Sequence, residues 1–210
     1  MLDLYWIPGA ASLAVHTLLE EVGAEYRLHR VVREGGKVEP AEFRRLSPHG
    51  RVPTVVLDGG LVMYESAAIV MHLSDLYPEA GVAPAPGTPE RALWYRWLTY
   101  LTNTVQATFM IFIYPERYTA EGADAEPVKE RAEASLVRMR DFLEGELAAG
   151  GPYVLGERFS SADLYLWMLT RWGRRFEPKW WDQPELGAHW RRVRERPAAQ
   201  RVYEQEGLEE

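Results

Sequence analysis

At 210 residues the chain is long enough for one or two compact domains with cores of their own, and its 47% hydrophobic and 26% charged content is that of an ordinary globular protein. A net charge of −7 argues against nonspecific nucleic-acid binding, and the lack of any cysteine excludes disulfides, thiolate metal sites and a cysteine nucleophile. The five histidines lack metal-ligand spacing, no apolar run approaches the ~18 residues of a membrane span, and the N-terminus does not read as a signal peptide, so a cytoplasmic protein without metal or membrane partner is expected.

Leu2–Ile7 is short, apolar and aromatic and reads as a buried strand, broken by Pro8-Gly9. Ser12 opens a helix with Leu13, His16, Thr17 and Leu19 near one face, ended by Gly23. Tyr26–Val32 reads as a second strand, residues 34–37 as a loop, and Pro40–Leu46 as a short helix with Pro40 at its first position. Thr54–Leu57 and Leu61–Tyr64, with Asp58-Gly59-Gly60 between them, read as a β-hairpin. From Ser66 the apolar spacing becomes helical, with Ile69, Val70, Leu73 and Leu76 on one side, until Pro78 stops it. Strand–helix–strand, hairpin and helix make a compact α+β domain over residues 1–78, with a right-handed crossover.

The four prolines and two glycines of residues 78–89 are the composition of a linker, placed at 79–89. Residues 90–210 read as a helical domain. Arg91–Ile113 is one long helix, perturbed at Tyr114-Pro115. Residues 127–149 are amphipathic, with Leu136, Met139, Leu143 and Leu147 on one side. Ser160 with Asp163 is a capping box that starts a helix through Trp172, and a last helix at Leu186–Glu195 is cut by Pro197.

Two local patterns carry chemistry. A cis bond at Val52-Pro53 would turn the N–H and C=O of Val52 outward, able to pair with a peptide-like ligand as an added strand does. Glu65-Ser66 stands at a helix start, whose free amides and partial positive charge receive a carboxylate, while the Glu65 carboxylate receives an ammonium. Together they suit an amino-acid head group; alone, Ser66 is equally a helix cap and Glu65 a surface charge.

The stretch VPTVVLDGGLVMYESAAIVMHL resembles the glutathione-binding half of glutathione S-transferases. In that family a cis-proline follows the residue that pairs with the cysteinyl backbone, and an acidic-residue–serine pair holds the γ-glutamyl head. The opening LDLYWIPGAASLAVHTLLEEVGAEY is similar to the first strand, loop and helix of the bacterial beta-type members; WYRWLTYLTNTVQATF and FSSADLYLWML look like stretches of the helical domain. The resemblance covers nearly all the chain. It implies a thioredoxin-like domain (βαβ-ββα) followed by an all-α helical bundle, glutathione as co-substrate without a metal, a small hydrophobic electrophile as second substrate, and a homodimer. Its activity would be conjugation, with a noncatalytic glutathione-binding or protein-interaction member, or a glutathione-dependent reductase or isomerase, as the alternatives.

The resemblance assigns glutathione contacts to Val52, Pro53, Glu65 and Ser66. Lys37, His49 and Arg51, in loops flanking Val52-Pro53, are candidates for the glycyl carboxylate. The beta-type cysteine falls on Ala11, the tyrosine on Trp6, the serine after it on Ile7, and the helical-domain asparagine and histidine on Thr99 and Gln106. Mixed-disulfide chemistry is therefore unavailable, and Ser12 is the candidate to stabilise the thiolate, either as hydroxyl donor or as no more than a helix cap. Tyr5 survives one position early, but strand alternation points it away from Trp6. His16, one turn beyond Ser12, reads as a satisfied, half-buried histidine. Ala11, Phe109, Met110 and Tyr114 are the candidates to line an electrophile pocket across the interdomain cleft, whereas Trp97 and Trp172 read as core.

Overall fold

The computed structural model describes every residue except 35, 36, 40–42 and 210, and gives the backbone alone for 33, 34 and 37–39. The chain divides into two compact units, one of Met1–Ala83 with Val193–Glu210 and one of Pro84–Arg192.

The first unit is built on a four-stranded mixed sheet in the order β2-β1-β5-β6. Strand β1 (Leu2–Trp6) alternates inward and outward, with Leu2, Leu4 and Trp6 buried. It pairs in parallel with β2 (Tyr26–Arg30) across the helix α1 (Ser12–Glu21), giving the crossover that two parallel neighbours require. On its other side β1 pairs antiparallel with β5 (Thr54–Val56), and β5 with β6 (Val62–Tyr64). Helix α1 is buried along Ser12–Leu19 and α3 (Ser66–Leu76) buries Ile69, Val70 and Leu73. Leu76, expected on the same stripe, is exposed near the end of the helix.

Two details depart from the sequence reading. The expected strand Tyr26–Val32 ends at Arg30, and a separate hairpin of β3 (Val32–Glu34) and β4 (Lys37–Glu39) follows where a loop was expected. Of the expected helix Pro40–Leu46, Phe43–Leu46 forms the short α2, and its start lies outside the described residues.

In the second unit the expected single helix Arg91–Ile113 is α4 (Pro89–Tyr100) and α5 (Ala107–Ile113), joined through a π-helical stretch at Leu101–Gln106. Threonine hydroxyls back-bond within this region, Thr102 to the Leu98 carbonyl at 2.7 Å and Thr108 to that of Thr104 at 2.7 Å, competing with regular α pairing. Helix α6 (Glu126–Gly150) buries Ala132, Leu136, Leu143 and Leu147. Helix α7 (Ser161–Trp172) is buried along its whole length, so its capping carboxylate is buried too. Asp163 accepts from the Ser160 amide at 2.8 Å and the Val154 amide at 2.9 Å, and bonds the His189 ring at 3.1 Å. The capping box is therefore structural. Trp97 and Trp172 are buried, as core residues should be.

The C-terminal residues correct the expected domain 90–210. After α8 (Pro184–Arg194), Pro197 starts a further helix rather than only ending one: α9 (Pro197–Glu206) packs on α1 and belongs to the first unit. The seam is held by charge. Arg196 binds Glu21 through two nitrogens at 2.6 and 2.8 Å, and Arg201 binds Glu20 at 2.6 Å. Burial pushes the Glu20 carboxyl up, but hydrogen bonds from Tyr26, Arg201 and Gln205 outweigh it and hold it below its ordinary range. A depressed carboxylate stabilises the fold above its unfolded value, and that contribution is lost as pH falls through the folded value. Glu20→Gln is expected to lower Tm by about 2–4 °C near neutral pH, with the gap closing below about pH 4. Thermal scans against pH check this; a gap that persists in acid would show that the charge is not its source.

Candidate functional site

The sheet register brings three loops to one end. Tyr5 lies opposite Thr54, and Thr54 opposite Tyr64. The residues after β1, those before β5 and those after β6 therefore emerge side by side. These are Ile7–Ala11, Val52-Pro53 and Glu65-Ser66.

The Val52-Pro53 bond is cis. Val52 packs its side chain toward Val31 and Phe43, and among the described residues its N–H and C=O make no backbone hydrogen bond. That edge can take an extended peptide by strand addition. The approach to it is fixed by Ser47, which is buried. Its hydroxyl donates to the Arg51 carbonyl at 2.9 Å and accepts from the Arg51 amide at 3.0 Å, closing the turn that presents His49 and Arg51. Both side chains are exposed. The Lys37 side chain lies outside the described residues.

Glu65 is the one non-glycine residue with positive φ among those described, at φ 73°. A side-chain-bearing residue resists this conformation, at about 1–3 kcal/mol, so the surroundings impose it. It is the N-cap residue of α3, its carbonyl accepts from the Ile69 amide at 3.0 Å, and its side chain is exposed. Ser66, the first helical residue, is buried. An exposed carboxylate thus stands directly before a helix N-terminus, able to meet the ammonium and carboxylate of one amino-acid head group.

Ser12 stands elsewhere than expected. It is the first residue of α1 and fully buried; its hydroxyl accepts from the Ile7 amide at 3.2 Å and donates to the Ile7 carbonyl at 3.2 Å. Its one proton is committed to the loop, which corrects its reading as hydroxyl donor to a thiol. It is also not the cap: Ala11 is, without a side-chain bond. Neither the Ala11 nor the Ser12 amide makes a backbone hydrogen bond among the described residues. Of the two, the Ala11 amide is the donor this loop offers, because Ser12 is wholly removed from the surface.

The rest of the loop was not legible as a site in sequence. The Gly9 amide donates to Glu206 at 2.7 Å, and His16 Nδ1 bonds the other oxygen of Glu206 at 2.8 Å. His16 is fully buried rather than half-buried. Trp6 points inward, its ring 5.9 Å from that of His16, while Tyr5 points to the other face and stacks on His29 at 4.7 Å. Asp3 orients that His29 ring at 2.7 Å, and its carboxyl is held below the usual range, first by the hydrogen bond from Arg27.

Of the four expected electrophile contacts, Ala11 lies in this loop and is largely buried. Phe109 is corrected. It is fully buried in the second unit, 4.9 Å from Trp180 and edge-on to Trp172 at 5.8 Å, and belongs to that core. Met110 and Tyr114 are half-buried, with Arg117 over the Tyr114 ring at 4.0 Å. The side chain of Gln106 accepts from Tyr165 and Thr99 is exposed. Among the described residues no cluster of His, Asp and Glu is arranged to hold a metal, and no helix is long and apolar enough to cross a membrane.

A mixed sheet with a cis-proline edge, followed by a helical unit, defines a protein with a thioredoxin-like domain joined to a helical one. The chain belongs to the glutathione S-transferase family: the family's N-terminal domain matches residues 10–76 and its C-terminal domain residues 100–197. It is 35% identical to a glutathione transferase from Methylococcus capsulatus str. Bath, covering 100% of both chains with a TM-score of 0.88. It is 30% identical to a sphingomonad glutathione S-transferase solved with glutathione, covering 99% of this chain and 100% of that one, TM-score 0.86. Glutathione S-transferase GstA of Escherichia coli O157:H7 is 28% identical over 99% of this chain and 100% of its own.

Ser12→Ala removes both bonds to Ile7 and is expected to cost about 1–2 kcal/mol, read as a lower denaturant midpoint at unchanged slope. Unchanged stability with lost glutathione chemistry would return the hydroxyl to the thiol.

Proposed function

We propose that the protein binds glutathione at this sheet end and conjugates it to a small apolar electrophile. The observation that carries the reading is the juxtaposition of Val52's backbone edge beside cis-Pro53, without a backbone hydrogen bond among the described residues, with Glu65, held at positive φ before α3. The cysteinyl backbone of glutathione pairs with Val52. Its γ-glutamyl ammonium meets Glu65, and its α-carboxylate meets the first turn of α3. Arg51 or His49, on the turn braced by Ser47, receives the glycyl carboxylate.

This places the sulfur toward the loop Ile7–Ala11. A free thiol has a pKa of about 8.5, so only a few per cent is ionised at neutral pH. The Ala11 amide favours the anion by hydrogen bonding, and the N-terminus of α1 by its dipole. A shift of about two units corresponds to roughly 2.7 kcal/mol and makes most of the bound thiol nucleophilic. The thiol proton leaves to solvent. The thiolate forms a carbon–sulfur bond at the electrophilic carbon, and the leaving group departs with its electron pair. The protein's contribution is binding, orientation and charge stabilisation.

The commitment of the Ser12 proton also favours a second reading, a glutathione-binding member without turnover. Both readings predict binding; they differ in conjugation of a chloronitroarene. Isothermal titration is expected to show glutathione binding, weakened about tenfold or more in Glu65→Gln, with cysteinylglycine, which lacks the γ-glutamyl head, unaffected by the same change. A wild type that does not bind glutathione would sink both readings, and binding without release of chloride would leave the second.

A further inference from the structure

We propose that Glu206 is a positioning residue for thiol activation: by holding the Gly9 amide it sets where the first turn of α1 faces the sulfur. The proposal rests on the glutathione reading above.

The loop between β1 and α1 is short and turns at Gly9, with φ 62°. Its amide donates at 2.7 Å to a carboxylate 197 positions away in sequence. That carboxylate sits in the last turn of α9, directly before Gly207 ends the helix in a left-handed conformation. Its side chain and that of His16 are wholly removed from solvent. A carboxylate is costly there unless each oxygen is paired. Both are, one by Gly9 and one by His16. Nε2 of His16 has no hydrogen-bond partner among the described residues, so an ionised Glu206 keeps the ring proton on Nδ1.

Packing alone does not ask for this arrangement. The neighbours of Glu206 on the buried face of α9 are Ala199, Val202 and Tyr203, and an apolar side chain of similar volume would fill the place without desolvating a charge. What the carboxylate adds is a directed acceptor for one loop amide. Arg196 and Arg201, pairing with Glu21 and Glu20, fix the register of α9 along α1 and so aim Glu206 at Gly9. The loop that carries the Ala11 amide into α1 is thereby held at two points, by Ser12 on Ile7 and by Glu206 on Gly9.

Glu206→Met keeps the volume and removes the acceptor, and Glu206→Gln keeps an oxygen for Gly9. Displacing aligned groups by about 1 Å can cost up to about 100-fold in rate. Glu206→Met is expected to stay folded, to lose at least about tenfold in kcat for chloronitroarene conjugation, and to show less ultraviolet absorbance from bound thiolate. Its Kd for S-methylglutathione, whose sulfur has no proton, should change by less than about threefold. Gly9 amide hydrogen exchange should quicken, and Glu206→Gln should restore kcat to within about threefold of wild type. A folded Glu206→Met with unchanged kcat and thiolate signal would overturn the proposal. So would a glutamine variant as impaired as the methionine one. Should wild type fail to bind glutathione, the functional reading falls by itself. Gly9 exchange then still decides the clamp, and unchanged exchange in Glu206→Met overturns it.

Discussion

The site depends on one strand having two neighbours in a fixed register. Thr54 faces Tyr5 on one side and Tyr64 on the other, and is itself fully buried. Val55 beside it fills the core. A slip of one residue would send Val55 to the opposite face, so the register is held by burial and not by the turn alone. Because β5 runs antiparallel to both neighbours, the chain leaves β1, enters β5 and leaves β6 at the same end. Every group assigned a ligand contact in the first unit follows from that.

The loops at this end share a construction. Ser12 bonds both backbone groups of Ile7, Ser47 both of Arg51, and Glu206 the amide of Gly9. In each case a buried side chain satisfies backbone that no strand or helix pairs. Among the described residues, the Val52 edge and the Ala11 amide are left without a backbone partner. The rigidity of the loops and the availability of these groups have one cause.

The departures from the beta-type pattern fit the same picture. Trp6, where those members have tyrosine, is turned inward against His16, and Ala11, where they have cysteine, is the N-cap residue of α1, without a side-chain bond. The donors this loop presents are backbone groups. Side-chain identity there governs packing.

Much of this was legible in the amino-acid order, because it rests on local chemistry. Asp58-Gly59-Gly60 between two apolar runs is a hairpin, and the Val52-Pro53 and Glu65-Ser66 pairs follow from neighbours in sequence. The capping box at Ser160 and Asp163 is likewise a four-residue signal. Some things were not local. Ser12 is a plausible thiol donor until the loop folds back and places the Ile7 carbonyl against its hydroxyl. The helix at Pro197–Glu206 has a proline that reads as a stop, and its partner α1 lies near the other end of the chain. The π-helical stretch at Leu101–Gln106 interrupts a run whose apolar spacing reads as one continuous helix. Turn, cap and strand preferences are set within a few residues and can be read in order. The pairing of Glu206 with Gly9 and His16 exists only once burial has brought distant segments together and removed the water that would otherwise satisfy them.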